Sequence, residues 1–391
     1  MNWIVSELFY PDEVSSAKIL TDIALKKISN SEVSIICGPP GYEEAYNIEH
    51  RKITSQINIY KIKLPKLNKN YLFQRLIRLL LLTLQMSWKI LLKVKDNDKV
   101  LITTNPTFLI LALWGLKKIK RFKLEILVHD IFPENLVPAG LIKKNSFRYK
   151  VLNKIYNSAY KNADRIIVLG EDMKLLMVEK LNCFSNPIDI IPNWSDDEIM
   201  PISNFFPSDY LGVAFKDKIV LGFAGNLGRL QGVIEFIEIF KTSQNPDIVL
   251  VIIGDGAVRS SVQKKIDLEK IRNVFYLGPR PRSEQNLFLN ACHIGLITLI
   301  HGMKGLGVPS KTYNLMAAGK PIFYIGDKFS EVDSYINKYD CGWSFDWDSQ
   351  SEIKDFLNSL SFKYFDQILL KSSNSIIASE NFKKGKILEL F

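Results

Sequence analysis

The chain has 391 residues, and 47% of them are hydrophobic, which excludes an intrinsically disordered protein and predicts more than one core. The formal net charge of +10 is typical of a solvated basic surface or of binding to nucleic acid, anionic lipid or phosphate-bearing substrates. The four cysteines do not show the spacing of a metal site, and we expect reduced thiols in a cytosolic protein. They are Cys37, Cys183, Cys292 and Cys341.

Short apolar runs alternate with segments of helical period through the first half of the chain. Helical patterns separate most of the runs, for example at 17–29 and 148–162. This alternation predicts a parallel sheet with helices on both faces. The predicted strands are NWIVSELF, VSIIC, NIYKIKL, KVLITT, LEILVH, RIIVLG and IDIIP.

Residues 61–95 combine basic side chains with an apolar body. Arg75, Arg78 and Lys89 interrupt the apolar run, so we do not expect it to span a bilayer, and residues 1–9 do not resemble a signal peptide. The segment is interpreted either as a helix on an anionic membrane surface or as an amphipathic helix packed on its own sheet. Its basic residues are Lys61, Lys63, Lys66, Lys69, Arg75, Arg78, Lys89, Lys93 and Lys95.

The strand–helix pattern restarts after an interruption at 192–212, which is rich in Pro, Ser and Asp. The second set of predicted strands is KIVLGFAG, DIVLVIIG, NVFYLG, HIGLITLI and PIFYIG. The sequence therefore predicts two doubly wound, Rossmann-like α/β domains at 1–195 and 196–375. Ligands of such sheets bind beyond the carboxyl ends of the strands, so the residues that follow the strands are the candidates for a site.

Glycine-containing turns follow three successive strands of the second domain. Each turn alone could be an ordinary strand–helix connection, but three on one sheet favour a site where a ligand approaches the backbone. The first turn is GFAGNLGRLQG, the second is IIGDGAVR and the third is YLGPRPRSEQN. The candidate residues in them are Gly225, Asn226, Gly228, Arg229, Gln231, Gly232, Gly254, Asp255, Gly256 and Arg280.

A flexible loop that leads into a helix follows the fourth strand of the second domain, in the stretch HGMKGLGVPSKTYNLMAAGKP. Gly305 and Gly307 make this loop pliable, and Pro309 suits the first turn of a helix. Backbone N–H groups, Ser310 and the Lys311 ammonium would then meet at one point, an arrangement suited to a diphosphate. The alternative is a capped helix with a solvated lysine.

In the first domain, VHDIFPEN places His129 and Asp130 at the end of a strand, with Glu134 on the loop that follows. A single histidine is more often structural than catalytic, although the position of His129 favours a site. The DWD of 346–348 has the spacing of a divalent-metal motif, but it lies in a polar turn and we predict no metal site.

Taken in order, these stretches resemble family-four glycosyltransferases, which are retaining enzymes of the GT-B fold. The resemblance covers nearly the whole chain and rests on ADRIIVLGEDM, IPNW, FAGNLGRLQG, VIIGDG, NVFYLGPRPRSEQN, HIGLITL and GVPSKTYNLMAAGKP. HDIFPEN, AGNLGRLQG and GVPSKTYN are most similar to the bacterial subgroup that acts in O-antigen, capsule and colanic-acid assembly. That subgroup includes fucosyl and N-acetylfucosaminyl transferases.

The sequence departs from the family pattern at several positions. Asn226 and Gln231 stand where the family usually has Arg and Lys, and Asn314 stands where a Glu usually binds the nucleotide ribose. No Glu is available near 304–306 for the donor sugar. Ser15 and Ser16 replace the glycine pair of the acceptor loop.

The resemblance implies transfer from a UDP- or GDP-sugar, with no further cofactor, to a lipid-linked saccharide at the inner face of the cytoplasmic membrane. Arg229 and Lys311 would stabilise the leaving diphosphate without a metal, and that diphosphate would accept the acceptor's proton. His129 would contact the donor sugar, while Ser15, Ser16, Asp130 and Glu134 would lie on the acceptor side. The remaining donor-binding residues would be Gly307, Val308, Pro309, Ser310 and Asn314, and the last helix, 376–391, would pack back on the first domain.

Other classes of function stay open at this point. A nucleotide-sugar 2-epimerase has a similar shape but needs more acid–base groups than His129. A sugar-nucleotide-binding module without catalysis would account for the missing Arg, Lys and Glu. Nucleic-acid binding ranks last, because aromatic residues are not interleaved with the basic ones.

Overall fold

A computed structural model of the chain describes residues 1–29, 31–39, 57–65 and 72–391. These residues form two compact units. The first unit comprises Met1–Pro192, Gly305–Gly307 and Leu388–Phe391, and the second comprises Asn193–Lys304 and Val308–Ile387. Lys66 and Lys69 of the predicted basic segment lie outside the described residues.

The described residues of the first unit form a parallel sheet of seven strands in the order β3-β2-β1-β4-β5-β6-β7. Every strand predicted in the first half of the chain is present, and the strand order reverses between β1 and β4 as in a doubly wound sheet. The strands are β1 Asn2–Ser6, β2 Val33–Cys37, β3 Asn58–Lys61, β4 Lys99–Thr103, β5 Lys123–Val128, β6 Arg165–Val168 and β7 Ile188–Ile190.

The second unit contains a parallel sheet of six strands in the order β10-β9-β8-β11-β12-β13. The predicted fold class, two Rossmann-like parallel sheets, is confirmed. The edge strand β13 was not predicted, because it is short and CGWSF resembles the polar turn that follows it. The strands are β8 Ile219–Ala224, β9 Ile248–Ile253, β10 Val274–Tyr276, β11 Ile294–Thr298, β12 Ile322–Ile325 and β13 Gly342–Phe345.

Helices lie in most of the connections that the structure describes between these strands. In the first unit they are α1 Ser15–Ile28, α2 Leu72–Lys93, α3 Thr107–Leu116, α4 Phe147–Tyr160 and α5 Glu171–Leu181. In the second unit they are α6 Pro207–Leu211, α7 Val233–Phe240, α8 Arg259–Glu269, α9 Gln285–Asn290, α10 Lys311–Ala317, α11 Glu331–Tyr339, α12 Gln350–Ser359 and α13 Phe365–Ser379, followed by α14 Lys384–Leu388 at the end of the chain. Within the described ranges, no helix combines the length and apolar character that crossing a bilayer requires.

The boundaries of the two units differ slightly from the prediction, which divided the chain after residue 195 and packed the last helix, 376–391, on the first domain. The second unit begins at Asn193 and extends to Ile387, because Ser375 of α13 bonds to the carbonyl oxygens of Lys320 and Cys341 at 3.2 and 3.3 Å. Only Leu388–Phe391 belongs to the first unit. Lys27 Nζ donates to the Phe391 carbonyl at 3.0 Å and holds this short segment there.

A glycine on β11 makes room for a side chain of helix α10. A Cβ atom on Gly295 would lie 2.2 Å from a methyl carbon of Leu315, so a larger residue there would displace the Leu315 side chain. Phe223, Leu296 and Phe323 of β8, β11 and β12 belong to a buried core of the second unit that also includes side chains of helices α7 and α12. The first residue of the helix, Lys311, is thereby held beside the sheet.

Candidate functional site

Glycine residues bring the loops after β8, β9 and β10 into direct backbone contact. Gly225 N donates to Ile253 O at 3.0 Å, and Gly254 N donates to Gly278 O at 3.1 Å. A Cβ atom on Gly254 would lie only 1.8 Å from Gly225 O. The carboxyl edge of the second sheet is therefore built from main chain, and the predicted glycine turns form one contiguous surface.

Asn226 and Asp255 join the first two of these loops. A Cβ atom on Gly256 would lie 2.6 Å from Asn226 Oδ1, so the Asn226 side chain packs over the second loop. Leu227 N donates to Asp255 O at 2.8 Å. Asp255 Oδ1 accepts from Gly256 N at 2.9 Å, so its carboxylate takes part in the turn itself.

A 3₁₀ turn at Arg229–Gln231 follows Gly228 and leads into helix α7. Gly232 has φ +64°, and a Cβ atom there would lie 2.7 Å from the Trp347 ring. Trp347 Nε1 donates to Leu299 O at 2.6 Å, so the tryptophan of DWD holds two site loops together. The Arg229 and Arg280 side chains are exposed.

The amino group of Lys311 is buried at the point where the strand order of the second sheet reverses. Its Nζ has no hydrogen-bond partner among the residues that the structure describes, and it lies 3.6 Å from the centroid of the Phe223 ring of β8. Burial lowers the pKa of Lys311 to about 7. Lys311 follows β11, the neighbour of β8, so its amino group lies at the switch point where ligands of such sheets bind.

The loop before Lys311 differs slightly from its prediction. The helix begins at Lys311, with Ser310 at the N-cap and Thr312 N bonded to Pro309 O at 3.1 Å, so Pro309 precedes the helix. Val308 is buried. Gly307 belongs to the first unit, where a Cβ atom on it would lie 2.9 Å from His129 O, so glycine is needed for this contact.

Asn314 contacts a carboxylate of its own unit. Its Oδ1 accepts from Asp196 N at 2.9 Å, and its Nδ2 donates to Asp196 Oδ2 at 3.3 Å. Arg282 donates to the same carboxylate oxygen at 2.5 Å. The sequence predicted a contact of Asn314 with the ribose but did not predict Asp196 or Arg282. These two residues lie 118 and 32 positions from Asn314, and no motif marks either of them.

His129 and Asp130 lie together at the carboxyl end of β5 in the first unit. Both backbone N–H groups donate to Thr104 Oγ1 at 3.1 Å. The buried His129 Nε2 has no partner among the described residues, and burial lowers the pKa of His129 to about 4. Burial raises the pKa of Asp130 to about 6, although Asn135 donates to its carboxylate at 3.0 Å. His129 is therefore a neutral imidazole at neutral pH.

Glu134 is engaged within the first unit. Its Oε1 accepts from Lys180 Nζ at 2.7 Å and from the Tyr149 hydroxyl at 3.2 Å. Its Oε2 is buried and has no hydrogen-bond partner in the described part of the chain. Ser15 and Ser16 begin helix α1, after β1. The predicted acceptor-side residues thus follow strands β1 and β5 of one sheet.

Three side chains that could hold a metal ion meet in the second unit. Ligand atoms of His301, Asp327 and Asp346 lie within 4.8 Å of one another. Asp327 already accepts from Gly302 N and Lys304 N at 3.0 and 2.8 Å, which gives it a structural role in the loop. The sequence indicated Asp346 only as part of DWD. It did not indicate His301 or Asp327, because these residues follow other strands, β11 and β12.

Comparison with known proteins identifies the family. Residues 212–363 match the model of the group 1 glycosyl transferases. The chain is 38% identical over 284 residues to the "Probable glycosyltransferase WbjE" of Pseudomonas aeruginosa, covering 72% of this chain and 70% of that protein. It is 25% identical over 183 residues, 45% of this chain and 44% of the relative, to the "Putative colanic acid biosynthesis glycosyl transferase WcaI" of Escherichia coli K12. The chain therefore belongs to the group 1 glycosyl transferases.

A solved structure supports the fold assignment. The structure of Anabaena Alr3699/HepE in complex with UDP-glucose matches with a TM-score of 0.72 and 14% identity, over 100% of this chain and 97% of that one. A likeness at this identity shows the fold, which is the GT-B fold expected from the sequence.

The burial of the Lys311 amino group predicts a specific dependence of stability on pH. The folded protein releases the Lys311 proton near pH 7, whereas the unfolded chain keeps it up to the ordinary pKa of 10.5. Unfolding therefore takes up a proton between these values, so higher pH disfavours unfolding. Relative to Lys311→Met, the free energy of unfolding of the wild type should rise by about 1.4 kcal/mol per pH unit.

Urea unfolding of both proteins from about pH 7 to pH 9 measures this difference. Lys264→Met, at an exposed position on α8, serves as the control and should follow the wild type. A difference between wild type and Lys311→Met that stays constant with pH would contradict burial of the amino group.

Proposed function

We propose that the protein is a retaining, metal-independent glycosyltransferase. Its donor is a UDP- or GDP-sugar, and its acceptor is a lipid-linked saccharide of bacterial surface-polysaccharide assembly, such as O-antigen or capsule. The resemblance to fucosyl and N-acetylfucosaminyl transferases makes a sugar of that type the first donor to test. The enzyme acts as a peripheral protein on the inner face of the cytoplasmic membrane.

The observation that carries the proposal is the buried amino group of Lys311 at the switch point of the second sheet, for which the described part of the chain offers no hydrogen-bond partner. An apolar setting disfavours the charged form of an isolated amino group. A bound anion would therefore stabilise the ammonium form of Lys311 and accept hydrogen bonds from its N–H groups. The adjoining glycine loops allow the backbone to approach that anion closely. A diphosphate meets both requirements.

The names of the relatives support the donor and the pathway class. HepE was solved with UDP and with UDP-glucose, and WcaI is named for colanic-acid biosynthesis. Transfer of the sugar places negative charge on the departing diphosphate. Lys311 and the exposed Arg229 would stabilise this charge. The neutral His129 would donate or accept a hydrogen bond at the donor sugar, with Asp130 on the acceptor side.

The roles of the other predicted residues follow from the same proposal. Asn226 and Gln231 would line the donor loop without adding charge. Asn314 would act by holding Asp196 and Arg282 in place, and we propose that the ribose is bound within this group. Glu134 keeps the acceptor loop in position through its ion pair with Lys180.

Replacing Lys311 by Ala should lower kcat by about 100-fold, because a preorganised donor to developing charge is lost. KM should change less, since the interaction strengthens as the diphosphate departs. Release of UDP or GDP is measured with the nucleotide sugar that raises the melting temperature most in a screen. Lys264→Ala is the matched control, and near-wild-type turnover of Lys311→Ala would reject this role.

Removal of divalent metal should leave transfer unchanged if fixed cations neutralise the diphosphate. The rate is measured after dialysis against EDTA and again after addition of Mg²⁺ or Mn²⁺. Loss of activity that the metal restores would overturn the metal-independent proposal. In that case Asp346→Asn, compared with Asp348→Asn, would test the cluster with His301 and Asp327.

A further inference from the structure

The exposed face of helix α2, Leu72–Lys93, carries a row of apolar side chains from Phe73 to Leu92. The exposed side chains recur at three- or four-residue spacing, which places them on one face of the helix. Leu84 is 66% exposed and Trp88 is 62% exposed, so these side chains project well away from the protein. We call this face the apolar stripe, and it consists of Phe73, Leu76, Leu80, Leu84, Trp88 and Leu92.

The opposite face of the same helix is also apolar and packs into the first unit. Leu82, Met86 and Ile90 are fully buried there. A surface helix of a soluble protein ordinarily pairs one apolar face with one polar face. A helix that is apolar on both faces, with one face anchored in the core, needs a second apolar environment for the other.

Basic side chains border the apolar stripe. Lys89 and Lys93 lie 5.9 and 5.3 Å from the centroid of the Tyr60 ring, at the side of the helix next to β3. Lys61 and Lys63, which follow Tyr60 in the sequence, are also exposed. The helix sequence contains no Asp or Glu. Apolar side chains flanked by ammonium groups match the acyl and headgroup layers of a bilayer.

We propose that the apolar stripe inserts into the boundary between headgroups and acyl chains of a lipid bilayer, with the helix parallel to the membrane plane. The helix, with 22 residues, is about 33 Å long and would lie along the surface. The inference rests on the proposed membrane attachment and deepens it: apolar insertion, rather than lysine charge alone, supplies the binding. A second copy of the chain fits less well, because a symmetric pair would bring together two helices that carry basic and no acidic side chains.

The test compares Leu84→Gln/Trp88→Gln with a control of equal chemistry on other elements, Leu268→Gln/Phe206→Gln. The control side chains are similarly exposed, at 70% and 61%. Flotation is measured with vesicles of neutral phosphatidylcholine and with vesicles that also contain phosphatidylglycerol. The wild type and the control should float with both, and the stripe variant should partition at least about tenfold less onto neutral vesicles.

A direct reading of depth comes from Trp88. Brominated phosphatidylcholine should quench the fluorescence of the wild type, and Trp88→Phe should lose most of that quenching while it still binds. The rise in melting temperature with UDP or GDP should be the same for all variants. A loss of membrane binding can then be distinguished from a loss of nucleotide binding.

Several results would overturn the inference. Equal partitioning of the stripe variant and the wild type would do so. Flotation with anionic vesicles only, abolished by salt, would leave membrane attachment intact and reject insertion. A dimer in light scattering that the stripe substitutions dissociate, with no flotation, would assign the stripe to a second copy.

Discussion

The buried amino group of Lys311 is the constraint on which the account of the second unit depends. Taking an ammonium out of water is costly, so the protein must either neutralise this group or supply a counter-charge. The amino group lies over the face of the Phe223 ring, which stabilises a cation only weakly compared with water. Because this group lies beside β8 and β11, where ligands of such sheets bind, we propose an anionic ligand as its counter-charge.

The glycine residues of the second unit make that arrangement possible. Gly295 makes room for the Leu315 side chain of helix α10, and Gly254 lets two loops touch through their main chains. Trp347, between the two aspartates of DWD, packs on Gly232 and bonds to the Leu299 carbonyl. Loops that contact one another through backbone atoms have little freedom to rearrange, so this edge of the sheet is a fixed surface, as a preorganised binding site requires.

The sequence predicted every strand of the two sheets except β13, because buried parallel strands are continuous apolar runs between turns. It could not predict β13, whose four residues carry a weak signal, or the bonds of Asn314 to Asp196, which join distant parts of the chain. The cluster of His301, Asp327 and Asp346 was missed for the same reason. In helix α2 the sequence indicated basic and apolar composition, but only the structure distinguishes the buried Met86 from the exposed Leu84.

Proton uptake on nucleotide binding tests the role of Lys311 most directly. Titration calorimetry of UDP or GDP near pH 8, in buffers with different enthalpies of ionisation, gives the number of protons exchanged. Since the amino group is largely neutral in the free protein and would be charged beside a diphosphate, the wild type should take up close to one proton more than Lys311→Met. Equal proton uptake by the two proteins would contradict the account.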